Sequence, residues 1–175
     1  MNSGLTRVTT EYSEIEDRVI IKGSKADGEV CAVFMTQRLM SRLILHVIQW
    51  LESESENLTS GSPSKDSEIR NWLQGSAQEE ASASTLDEKP VELSNNSESW
   101  LAHEVDITQG PTGIRFTFKS PSGKFVNLEL SKDATRKWLN IIFRVWQIAE
   151  WTLAPWPQWM KQSQKKDPVA SLPVH

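Results

Sequence analysis

Ile114-Arg115-Phe116-Thr117-Phe118-Lys119 alternates apolar and polar side chains, the period of a strand with one buried face. Ser120-Pro121-Ser122-Gly123 follows with turn chemistry, and the next run sets Val126, Leu128 and Leu130 on one side, so the two runs predict a hairpin. Leu101 to Thr108 also alternates, with Val105 and Ile107 inward, and Gln109-Gly110-Pro111-Thr112-Gly113 can turn the chain. A three-stranded meander is therefore expected. Ser131 stands where an N-cap is wanted, ahead of a helix predicted over 132–151. Its polar stripe is Arg136, Asn140, Arg144 and Gln147; Trp138, Ile142, Val145 and Trp146 belong to a broad apolar remainder, the mark of a helix covered on more than one side.

The first half repeats this order at a constant offset of 95 residues. Val19-Ile20-Ile21 stands against Ile114-Arg115-Phe116, Gly28 against Gly123, Cys31, Val33 and Met35 against Val126, Leu128 and Leu130, and Thr36 against Ser131. A helix over 37–52 keeps Leu39, Leu43, Val47 and Trp50 on its apolar side. A hairpin with one helix is too small to bury such faces alone. The pattern predicts one compact α+β domain made of two pseudo-repeated ββα-type halves, an antiparallel sheet plus two amphipathic helices. The first half spans 17–52 after a flexible N-terminus at 1–16; the second spans 100–160 before a flexible basic tail at 161–175.

Composition changes between the halves. Residues 52–99 hold twelve Ser and eleven acidic residues against Lys65, Arg70 and Lys89, which leaves this stretch at −8 and the remainder at +4. Ordering it would cost about 50–100 kcal/mol, whereas its seven larger apolar residues return only about 10–20 kcal/mol. A disordered acidic, Ser-rich linker over 53–99 is expected, with one short helix at 67–74. There Ile69, Trp72 and Leu73 follow i, i+3, i+4 behind a Ser67 cap, and they dock either on this chain or on a partner.

Candidate chemistry is sparse. Cys31 is the one cysteine, set among core positions, and the three histidines have no metal-ligand spacing. His46 reads as a structural mid-helix histidine and His103 as part of a polar strand side. Glu104 and Asp106 share a strand face, where polar alternation explains them better than acid and base roles. Ser120-Pro121-Ser122-Gly123-Lys124 lacks phosphate-loop spacing and joins strand to strand. These readings point to no catalytic residue, metal or cofactor. With no apolar segment near the roughly 20 residues that span a bilayer, a cytoplasmic protein without a membrane partner is expected.

Tryptophan stands out at eight of fourteen aromatic residues. Pro155 and Pro157 end the second helix, so Trp151, Trp156, Trp159 and Met160 either fold back over an open end of the domain or anchor a partner. The leading functional expectation is a non-enzymatic adaptor or scaffold that binds another protein or its own copy through apolar helix surface, through Trp151, Trp156, Trp159 and Met160, and through Ile69, Trp72 and Leu73. The alternative is single-stranded nucleic-acid binding, with Lys132, Arg136, Lys137 and Arg144 beside the Trp rings.

Overall fold

The computed structural model describes residues 3–56, 63–83 and 88–163. Along the chain come β1 (Gly4–Ser13), β2 (Arg18–Lys25), β3 (Val30–Met35), α1 (Gln37–Glu56), α2 (Pro63–Ala83), β4 (Glu98–Leu101), β5 (Glu104–Gln109), β6 (Gly113–Lys119), β7 (Phe125–Ser131), α3 (Lys132–Ile148) and α4 (Gln158–Ser163). The strands form one sheet in the order β4-β3-β2-β1-β7-β6-β5.

β4 and β5 are the two edges of that order, yet only Ala102 and His103 separate them in the chain. In a flat sheet these edges would stand about 29 Å apart, at about 4.8 Å per neighbouring pair. The sheet therefore curls until the edges meet. The Ala102 N–H bonds to the Phe34 carbonyl on β3 at 2.9 Å, and the His103 N–H to the Lys119 carbonyl on β6 at 3.0 Å. Two junctions in the curled sheet are parallel: Gly4 and Leu5 pair with Asn127 and Leu128, and Ala32 and Val33 pair with Ser99 and Trp100. The remaining paired strands run antiparallel.

Inward side chains of β2, β3, β6 and β7 join α1 and α3 in one apolar core, with Ile21, Met35, Ile44, Phe116, Phe118, Leu139 and Trp146 fully enclosed. Local chemistry sets the helix starts: Thr36 Oγ1 accepts the Leu39 N–H at 3.3 Å, and Ser131 Oγ accepts the Ala134 N–H at 3.2 Å. Gly28 and Gly123 occupy the turns that follow β2 and β6 with φ of +87° and +85°, a region other residues enter at a cost. The fold is mixed α+β in one compact domain.

Several expectations are corrected. Residues 4–13, assigned to a flexible N-terminus, form β1 in the middle of the sheet order. A bulge between Leu5 and Arg7 shifts the side-chain phase, so the inward set runs Leu5, Val8, Thr10, Tyr12 and hides the strand's period. Three strands, β1 to β3, accordingly precede α1. The stretch 101–108 is broken at Ala102–His103 into parts of β4 and β5.

The linker expectation over 53–99 does not hold for its described part. It carries α2, which packs on α1, α3 and α4, and then β4. Ser67 does not cap this helix, since α2 starts at Pro63, a residue preorganised for a first turn. Val91 is buried, and its N–H donates to Thr9 Oγ1 of β1 at 2.8 Å, which pins the chain to the sheet ahead of β4. Of the flexible tail expected at 161–175, residues 161–163 belong instead to α4; the flexible portions expected at 57–62, 84–87 and 164–175 lie outside the described residues. The third helix ends at Ile148 rather than at Trp151, for a reason found in its C-terminal turn.

Candidate helix-docking site and its aromatic support

Past α3 the chain reverses in a Schellman turn. Ala149 is the C-cap, Glu150 takes the left-handed conformation with φ of 55°, and the Trp151 and Glu150 N–H groups bond to the Trp146 and Gln147 carbonyls at 3.2 and 3.0 Å. The hydrophobic contact that accompanies such turns is here Trp146 against Trp151, with ring centroids 4.8 Å apart. Trp151 is half-buried, and its Nε1 donates to Asp17 Oδ1 at 3.2 Å. The Tyr12 hydroxyl donates to the same oxygen at 2.6 Å, and this bond, with burial, raises the phenol to about 12.

From this turn the Trp–Pro segment folds back over the domain. Trp156 is 2% exposed and packs edge-on against Phe143 and Trp146; Trp159 and Met160 are also enclosed. Trp156, Trp159 and Met160 thus belong to the core, which is the fold-back outcome of the two expected for this segment. Their burial follows from α3, whose broad apolar face includes Phe143 and Trp146, the rings that Trp156 covers. The Trp156 Nε1 is buried without a hydrogen-bond partner.

Trp159 leads to the junction of all four helices. Its Nε1 donates to Glu52 Oε1 of α1 at 3.0 Å, and the Arg136 guanidinium of α3 stands 5.9 Å from its ring centroid. Arg136 Nη2 donates to Gln74 Oε1 of α2 at 2.6 Å. Gln74 Nε2 in turn donates to the Leu51 carbonyl, and Gln78 Nε2 to the Arg136 carbonyl, each at 2.8 Å. Burial pushes the Arg136 guanidinium below its ordinary value, with Asp133 opposing the shift.

Of the two outcomes expected for Ile69, Trp72 and Leu73, docking on this chain is not the one α2 shows. Gln74, Gln78 and Ala81, spaced i, i+4, i+7, form the docked side. Trp72 is 70% exposed and Ile69 47% exposed on the other side, with Leu73 half-buried at the edge. The docking residues were missed because two of the three are glutamines, which carry no hydrophobic signal. The i, i+4 repetition of one amide side chain was the only trace of them.

The basic residues considered for nucleic acid are scattered in role. Arg136 is engaged at the helix junction, Lys137 pairs with Asp133 at 2.9 Å, Lys132 is half-buried and Arg144 exposed. Of the indole rings weighed beside them, Trp156 and Trp159 are enclosed.

Elsewhere the candidate groups are accounted for locally. Lys119 Nζ contacts Asp106 Oδ2 at 2.5 Å and Glu104 Oε1 at 3.0 Å; its hydrogen bond holds the Asp106 carboxyl below the usual range. His103 Nδ1 faces the Lys119 carbonyl at 2.9 Å, with Nε2 3.8 Å from Glu104 Oε2. His46 Nδ1 faces the Arg42 carbonyl one turn back at 2.9 Å. Cys31 is buried, which pushes its thiol up and away from reactivity. An open pocket of about 330 Å³ lies between His103, Lys119, Lys124 and Phe125, and a groove of about 480 Å³ runs by Gly110, Arg115 and Ser131. Among the described residues no cluster of His, Cys, Asp or Glu has metal-site geometry, and no helix is long and apolar enough to cross a membrane. Comparison with protein families, with curated proteins and with solved structures finds no match.

Proposed function

We propose that this chain is a non-enzymatic protein-interaction module whose partner surface is the outer side of α2, centred on Trp72 and Ile69. The observation that carries this reading is a tryptophan 70% exposed on a helix that packs on α1, α3 and α4. A Trp side chain has only two rotatable bonds and so offers large contact area at low entropic cost, the usual property of interface hot spots. Leu73 completes the patch from its edge. The nucleic-acid alternative draws no support from these positions, because Trp156 and Trp159 are enclosed and Arg136 is already bonded.

We further infer that the scaffold is an internal repeat of two units, β1–β3 with α1 and β5–β7 with α3. The supporting detail is the register of the parallel junctions: Gly4 pairs with Asn127 and Ser99 pairs with Ala32, so adding 95 to one residue of a pair and subtracting it from the other interconverts the two. Leu5 with Leu128 and Trp100 with Val33 obey the same relation. In this reading β4 serves the first unit as the start of β1 serves the second, and each unit completes the other's sheet.

The test of the functional reading is affinity capture from a lysate with quantitative readout, the intact chain against Trp72→Ala/Ile69→Ala. Both side chains face solvent, so the variant should melt within about 2 °C of the parent. Loss of a defined set of retained proteins at unchanged Tm is the expected result. Identical capture by both forms would refute the reading.

A further inference from the structure

Helices dock on a domain through their apolar stripe. α2 does the reverse, since its buried side carries Gln74 and Gln78 while Ile69 and Trp72 face water. Its attachment includes the amide bonds to the Leu51 and Arg136 carbonyls and the Arg136–Gln74 contact, beside small groups such as Gly75, whose added Cβ would lie 3.9 Å from Trp159 Cβ. Two polar atoms in this contact, Gln78 Oε1 and Arg136 Nη1, are buried with no hydrogen-bond partner. Native structures rarely leave such atoms unpaired, and both regain hydration if the contact opens. Protein–protein hydrogen bonds exchanged for bonds to water contribute little net stability, whereas α1, α3 and the strands share a continuous apolar core. The burial that lowers Arg136 acts in the same direction, because release rehydrates the guanidinium.

We infer that α2 is a releasable strap: it detaches as a unit while the curled sheet, α1 and α3 stay folded, and its release uncovers Arg136, Trp159 and the C-terminal part of α1. This inference does not depend on what binds Trp72, and either can fail without the other.

Native-state hydrogen exchange read by mass spectrometry on the full chain tests it. In the parent, amides of α2 should exchange at least about tenfold faster than those of β2 and β6, through an opening that low denaturant barely changes. Gln74→Ala/Gln78→Ala should accelerate α2 at least about another tenfold with β2 and β6 unchanged. Trp72→Ala, on the outer side, should leave α2 exchange within about threefold of the parent. Equal protection of α2 and the strands in the parent would overturn the inference. So would a glutamine variant that accelerates all three elements together, or a Trp72→Ala effect as large as that of the glutamines.

Discussion

Glu150→Gly should stabilise the protein. Glu150 holds φ of 55° as the residue that turns the chain out of α3, and a side chain there costs about 1–2 kcal/mol relative to glycine. Glycine gives back about 0.4–1 kcal/mol by widening the unfolded ensemble. A carboxylate beside the C-terminal carbonyls of a helix adds a smaller unfavourable contribution, reduced here by solvent exposure. The balance is a gain of about 0.5–1 kcal/mol, or about 1–4 °C in Tm for a chain of this size. Urea unfolding followed by tryptophan fluorescence reads it, with an unchanged slope expected because the same surface is exposed. Glu150→Ala separates the two causes, since it removes the charge and keeps the strained backbone, and it should lie within about 0.5 kcal/mol of the parent. A neutral or destabilising glycine variant would show that this turn does not set the path of the Trp–Pro segment.

Further outcomes follow from the same geometry. Tyr12 is the one tyrosine of the chain, so its ionisation can be followed by absorbance at 295 nm; half-ionisation is expected near pH 12, and Asp17→Asn should bring it down towards 10. The raised value means the folded state holds the phenolic proton more tightly, so this contribution to stability is complete below pH 10 and disappears as pH climbs through about 12. Trp138→Phe should cost about 1–2 kcal/mol more than Trp156→Phe by urea unfolding, since the first indole N–H is bonded to buried Thr10 at 2.9 Å and the second has no partner to strand. Gly113→Ala should be worse than Gly123→Ala in thermal melts: the first places a Cβ 2.4 Å from the Leu130 carbonyl, whereas the second meets open space and suffers mainly the left-handed penalty of about 1–2 kcal/mol.

Strands β2, β6 and β7 and helices α1 and α3 were legible because each buries one side chain set with an undisturbed period, as in Ile114, Phe116, Phe118 and in Trp138, Ile142, Trp146. β1 was not, since its bulge breaks the alternation and its inward Thr10 is polar, made acceptable by the Trp138 indole bond that only the fold supplies. The four residues of β4 sit in a Ser-rich acidic stretch and gain their strand character from pairing with β3, a partner distant in sequence. For the Trp–Pro segment the residues posed a choice between cover and anchor; the apolar demand around Phe143 and Trp146 decided for cover. In α2 the hydrophobic pattern identified a real helix, but hydrogen bonds from Gln74 and Gln78 selected which side docks, and such bonds leave no hydrophobic signature.

The most direct measurement on the central claim is site-specific photocrosslinking in a lysate from a benzophenone side chain at position 69 on α2, with position 15 as control. Ile15 is an apolar residue 97% exposed in the turn after β1, so it matches Ile69 in character and not in placement. The account predicts a discrete crosslinked species from position 69 that is absent from position 15. The same products from both positions, or none from position 69, would contradict it.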